Sequence, residues 1–155
     1  MDSELDTFIN RFTKGDVFSE TRITQSKGSF FYVPERIENL VSSAKETPSM
    51  TGLYLGTVRD GTFHASLSLL EMLKAHTKRH ITLNKKASWL FVCGRDVFFE
   101  NVMSAIPDDK GLFLVCDDKH EVIGLGKQDR QKGKRLVQNI TDIGKRLRQE
   151  QGKKR

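Results

Sequence analysis

The chain has 155 residues, a length that suits one ordinary domain or two small ones and excludes a large multidomain enzyme. Hydrophobic residues make up 37% and charged residues 30%, with only 3 prolines, so there is apolar mass for a core and no bias towards disorder. The net charge of +6 favours polyanionic partners and excludes nothing by itself.

Leu5, Phe8, Ile9 and Phe12 fall on one stripe of a helix that Asp2 or Ser3 can cap. Two β-type runs, 21–25 and 29–33, flank Ser26-Lys27-Gly28 and predict a hairpin. Pro34 suits the first turn of a second helix carrying Ile37, Leu40, Val41 and Ala44, ended by Glu46-Thr47-Pro48. A second hairpin is expected over 53–58 and 62–65, turned at Asp60-Gly61. Ser68 and Glu71 fit a capping box for a helix running to about His76.

Beyond that point the pattern turns strand-like, with runs at 80–83 and 87–93, and Gly94-Arg95-Asp96 then opens a short helix bearing Val97, Phe98 and Val102. Runs at 112–116 and 122–125 across Asp117-Asp118-Lys119-His120 predict a further hairpin, and 136–140 a last strand. A final helix is expected from Asp142, with Ile140, Ile143 and Leu147 as its few apolar positions. The expectation is an α+β unit over residues 1–72 followed by a mostly β, barrel-like unit over 73–155.

The two parts differ in charge. Residues 1–72 hold 7 basic and 10 acidic side chains, net −3, whereas residues 73–155 hold 19 and 10, net +9. Residues 127–155 alone carry 11 basic against 3 acidic, which marks the C-terminal region as the expected binding face. No apolar run approaches the roughly 18 residues of a membrane span, and the acidic start at Asp2 and Glu4 is unlike a secretory signal, so a cytoplasmic protein without membrane contact is expected. Cys93 and Cys116 each lie in an apolar run and are expected as buried thiols.

No catalytic, cofactor or metal set emerges. After Gly124-Leu125-Gly126 the third glycine of a dinucleotide fingerprint is replaced by Asp129, and Gly126-Lys127 and Gly133-Lys134 lack the rest of a phosphate loop. His64, His76, His80 and His120 are scattered without an HExxH motif, and the one pair four apart, His76 and His80, spans the expected end of a helix, so solvated or capping histidines are expected; no nucleophile elbow occurs. A glycine pair on a strand instead allows another backbone, of protein or nucleic acid, to come close.

The chemistry rests on cations. Lys127, Arg130, Lys132, Lys134 and Arg135 are placed on a strand end and loop; Lys145, Arg146, Arg148, Lys153, Lys154 and Arg155 on or after the last helix. Cations gathered on one surface can neutralise successive phosphates, and without aromatics in this stretch recognition would rest on backbone charge and shape. Replacing Arg146, Arg148, Lys153 and Lys154 by Ala is expected to flatten the salt dependence of RNA binding and to leave folding nearly unaffected.

Ala87 to Cys93 followed by Gly94-Arg95-Asp96-Val97-Phe98, with Gly124-Leu125-Gly126 later in the chain, resembles a PUA domain, the RNA-binding β pseudo-barrel named after pseudouridine synthases and archaeosine transglycosylases. The stretch Phe31-Tyr32-Val33-Pro34-Glu35-Arg36-Ile37, then Gly52-Leu53-Tyr54-Leu55-Gly56-Thr57, the run 63–73, and Asp142-Ile143-Gly144 near the end resemble the Nip-seven ribosome-biogenesis factors, in which a pre-PUA domain precedes the PUA domain. The resemblance implies a non-enzymatic, cytoplasmic factor of the compact archaeal type, bound to precursor rRNA during large-subunit assembly. It places RNA contacts at Arg146, Arg148, Lys153, Lys154 and Arg155, beside Lys127 and Arg130 from the charge pattern, and assembly proteins on the first domain. Two other readings stay open: a protein-interaction adaptor with a solubilising tail, and the RNA-recognition subunit of a modification complex.

Overall fold

In the computed structural model, which describes residues 3–18, 22–43, 45 and 51–152 and leaves the side chains of Val41 and Arg146 undescribed, Ser3 starts the first helix, α1 (Glu4–Ile9). Its Oγ accepts the Asp6 N–H at 3.2 Å while the Asp6 carboxylate accepts the Ser3 N–H at 3.0 Å, a reciprocal cap that satisfies two otherwise orphan donors. Leu5, Phe8 and Ile9 are buried, and Phe8 meets Phe12 and Phe63 with ring centroids 5.3 and 5.2 Å apart. Asp2, Thr21, Ala44 and the 46–48 helix stop lie outside the described residues.

The chain divides into two compact units, Met1–His76 and Thr77–Arg155. In the first, β1 (Ile23–Ser26), β2 (Ser29–Tyr32), β3 (Leu53–Arg59) and β4 (Thr62–Ala65) form an antiparallel sheet in that order. Helix α2 (Glu35–Ser42) follows Pro34 as expected, but its apolar positions are not packed away: Ile37 is 36% and Leu40 69% exposed. Helix α3 (Leu67–Lys74) is capped by Ser66, not Ser68. The Ser66 hydroxyl accepts the Leu69 N–H at 3.1 Å and donates to the Tyr54 carbonyl at 2.7 Å, which roots the helix in β3. Because α3 continues through residue 72 with Leu73 buried, the division between the units falls after His76.

In the second unit β5 (His80–Thr82) pairs in parallel with β7 (Leu112–Cys116), β7 pairs antiparallel with β8 (Val122–Gln131), β8 with β9 (Lys134–Asp142), and β9 with β6 (Val97–Phe98). The residues after the two edge strands then meet. Leu83 bridges Val102, the Asn84 N–H donates to the Asn101 carbonyl at 3.0 Å, and the Met103 N–H donates to the Thr82 carbonyl at 2.7 Å. The five-stranded sheet thus curls round until the segments after its two edge strands bond to each other, and it encloses Ile81, Val97, Phe113, Val115 and Val137. The fold is α+β, with the expected β pseudo-barrel in the second unit.

Two expectations are corrected here. Residues Lys85–Val92 form helix α4, not a strand, and Gly94-Arg95-Asp96 leads into β6 and a short 3-10 turn, Phe99–Asn101, not into a helix. The Asn84 side chain accepts the Ala87 N–H at 2.9 Å and starts α4, whose buried Ala87, Ser88 and Phe91 follow helical spacing. Gly124 makes room for it: a Cβ there would lie 2.9 Å from the Phe91 ring and would collide with the β9 backbone at Thr141 and Asp142. The glycine pair therefore serves protein packing. Cys116 is buried as expected, but Cys93 is exposed because the helix ends there.

Arg79 fixes the entry to β5. Its guanidinium holds the Asp109 carboxylate through two hydrogen bonds of 2.6 Å, and its Nε donates to the Leu112 carbonyl at 3.0 Å. The Arg79 hydrogen bonds, followed by the Gly111 N–H, pull the Asp109 carboxyl down to about 2. With the folded value below the unfolded one, the pair's stabilisation is complete above about pH 4 and is lost as pH falls through 2. Asp109→Asn lacks it at every pH, so urea unfolding should show a gap between wild type and variant at pH 5 that closes towards pH 2; a gap of constant size would refute this role.

Candidate nucleic-acid interface

Strands β8 and β9 continue beyond the barrel as a ribbon that ends at a two-residue turn, Lys132-Gly133, paired at Gln131 and Lys134. Both turn residues have positive φ, 50° and 78°, the geometry of a hairpin turn whose twist matches that of the strands. The sequence reading ended the earlier strand near residue 125 and missed this ribbon, because its outer part is polar on both faces and leaves no apolar alternation to read. Residues 129–135 are all exposed and Lys127 is half-buried.

The ribbon concentrates like charge. Arg130 lies directly opposite Arg135, an arrangement that repels across an antiparallel pair. Arg135 is steadied by the Gln128 side chain at 3.1 Å and by the Phe99 ring, whose centroid is 4.4 Å from the guanidinium carbon. Lys134 Nζ sits 5.8 Å from the Phe98 ring centroid. Among the described residues, Lys127, Arg130, Lys132 and Lys134 form no ion pair, and the one acidic residue of the stretch, Asp129, accepts the Arg130 N–H at 2.8 Å. Phe98, 41% exposed, and Phe99 bring to the cations the aromatic surface that sequence reading found missing. Pairing of β6 with β9 puts them there, a contact between residues far apart in the chain.

Arg148 has a different environment. It sits on α5 (Lys145–Gly152), which begins after Gly144 rather than at Asp142. Its guanidinium grips the Asp142 carboxylate with bonds of 3.0 and 2.8 Å and also donates to the Val92 carbonyl at the end of α4. The Asp142 side chain is 2% exposed and accepts in addition the Gly144 N–H at 2.9 Å and the Asn139 side-chain amide at 3.0 Å. Asn139 in turn donates to the Phe91 carbonyl at 2.7 Å, so the last carbonyls of α4 are met by side chains from β9 and α5. Hydrogen bonding to Asp142 raises the Arg148 pKa above its ordinary value.

The expected cations are therefore not one cluster. Lys127 and Arg130 belong to the ribbon, whereas Arg148 is bound to Asp142 at the opposite end of β9, and Asp142 is seven residues from Arg135, or about 23 Å along an extended strand. The backbone of Arg146 is on α5; Lys153, Lys154 and Arg155 lie outside the described residues. Among the described residues no group of His, Cys, Asp and Glu could hold a metal ion, and no helix is long and apolar enough to cross a membrane.

A curled five-stranded sheet with helix α4 packed on it, extended by a basic ribbon, gives the second unit a PUA-like pseudo-barrel fold. The family model of the UPF0113 PUA domain matches residues 79–151, nearly the whole of this unit and none of the first. PUA domains are in general RNA-binding modules. A conserved PUA domain protein from Thermoplasma acidophilum is 16% identical with a TM-score of 0.47, covering 81% of this chain and 79% of that one. A hypothetical protein from the hyperthermophilic archaeon Pyrococcus horikoshii OT3 is 11% identical with a TM-score of 0.42, covering 81% and 77%. No curated protein matches the chain.

The geometry corrects one expectation: substitution of Arg148 is not neutral for folding. Arg148→Ala leaves the buried Asp142 carboxylate short of two charge-assisted hydrogen bonds and should cost about 2 kcal/mol, less than a fully buried pair because the arginine is 38% exposed. Arg130→Ala should change stability by less than about 0.5 kcal/mol. Chemical denaturation of the two variants tests the contrast; equal midpoints would refute it.

Proposed function

We propose that the protein is a non-enzymatic RNA-binding factor whose β8–β9 ribbon lies along the phosphate backbone. The observation that carries this reading is that Lys127, Arg130, Lys132 and Lys134 form no ion pair among the described residues, with Arg130 held opposite Arg135, on a hairpin within the stretch that matches the PUA-domain family model. A phosphate backbone relieves the repulsion between Arg130 and Arg135 and releases counterions on binding. Arg146, Lys153, Lys154 and Arg155 add to the positive charge of the chain that favours RNA.

The order of motifs along the chain supports a place among the Nip-seven type factors, with precursor rRNA of the large subunit as target and the cytoplasm as site of action. The net −3 of residues 1–72 supports docking of a basic assembly protein on the first unit.

Replacing Lys127, Arg130, Lys132 and Lys134 together by Gln tests the ribbon on the intact chain. If each contacts one phosphate of single-stranded RNA, the log–log salt slope should fall by about 0.7 per contact, close to 3 in total, for every RNA sequence tried. An unchanged slope with unchanged affinity would overturn the assignment.

A further inference from the structure

Helix α4 presents a surface that the ribbon does not use. Its buried side is Ala87, Ser88 and Phe91; Lys85, Lys86 and Trp89 are exposed on the other, with Cys93 one turn further on. Trp89 is 69% exposed, although an indole is among the side chains that gain most from leaving water. The two lysines precede it by four and three residues, the spacing that makes side chains neighbours on a helix surface, about 5–6 Å apart at Cβ. No acidic residue occurs in α4; past its end come the exposed Arg95 and Asp96, with the Asp96 carboxylate accepting the Asn139 N–H at 2.8 Å, and the Arg148 guanidinium lies over Gly94.

We infer that the exposed face of α4 is a second RNA contact, in which an unpaired base stacks on the Trp89 indole while Lys85 and Lys86 meet the neighbouring phosphates. A flat π surface flanked by cations one helical turn away matches a nucleotide, which joins a flat base to an anionic backbone. The charge of the face excludes a basic protein segment, and the ring is dispensable for packing because α4 is held by Phe91 and by the bonds to its last carbonyls. The contact lies at the Asp142 end of β9, away from the ribbon tip, so one RNA strand occupying both must cross the barrel surface.

This inference rests on the RNA-binding reading and is tested so that the two can fail separately. Trp89 is the only tryptophan in the chain, so its fluorescence reports on this face alone. A single-stranded RNA decamer with a 3′ fluorescein is titrated into the intact protein, with anisotropy following binding anywhere; the fluorescence titration uses the unlabelled decamer. Stacking should quench Trp89 with the same midpoint as the anisotropy change, and a blunt RNA duplex, which offers no unpaired base, should quench it far less.

Trp89→Ala should weaken binding of the decamer about 5- to 150-fold, and Trp89→Phe should recover part of the loss. Lys85→Gln with Lys86→Gln should lower the salt slope by about 1.4 in a protein that still quenches. Binding with silent fluorescence and unchanged affinity in Trp89→Ala would overturn the inference, leaving the ring to a protein partner, while the ribbon reading stands. Absence of any RNA binding would overturn both.

Discussion

A buried carboxylate must find donors, and in this protein the demand of Asp142 organises the second unit. Its two oxygens take bonds from Arg148 on α5, from the Gly144 N–H in the connection before it and from Asn139 on β9. Asn139 and Arg148 also donate to the Phe91 and Val92 carbonyls, so one charge ties together the end of β9, α5 and the end of α4. Gly124 and Gly144 are the steric counterpart, since a Cβ at either would strike backbone from a neighbouring element. With α4 held in this way Phe91 enters the barrel core, and the exposed face of that helix acquires a defined position.

This constraint also sorts the cations. Arg148 and Arg79 are each bound by a carboxylate in bidentate fashion, and their charge is neutralised within the fold. The ribbon cations have no such partner among the described residues, and two arginines are held against each other there. Net charge alone cannot separate these groups, because a lysine on a loop and an arginine in a lock count equally. What distinguishes them is whether a carboxylate lies within hydrogen-bonding reach of the guanidinium.

Much of the first unit was legible because its elements obey local rules. The Ser3 cap, the Lys27-Gly28 and Asp60-Gly61 turns and the helical stripe of Leu5, Phe8 and Ile9 all act within a few residues. The second unit was less legible where distant contacts decide. Residues 87–93 carry side chains suited to a strand, yet Asn84 starts a helix there and Gly124, more than thirty residues on, accommodates it. Ser66 displaced Ser68 as a cap because only Ser66 can bond both Leu69 and the β3 carbonyl of Tyr54. At the candidate interface, Lys127 and Arg130 could be named from charge, while the partners of Arg148 and the approach of Phe98 and Phe99 to the ribbon depend on strand pairing.

The central claim is that the binding cations of the ribbon and the fold-holding Arg148 are different residues at opposite ends of β9. The most direct measurement is an NMR titration of the isotopically labelled intact protein with single-stranded RNA, following backbone amides and arginine Nε–H signals together. The account predicts shifts centred on residues 127–135, with the Arg148 Nε–H and the Gly144 amide essentially unmoved as the ribbon saturates. Shifts centred on the Arg148 guanidinium and residues 142–148, with the ribbon silent, would contradict it.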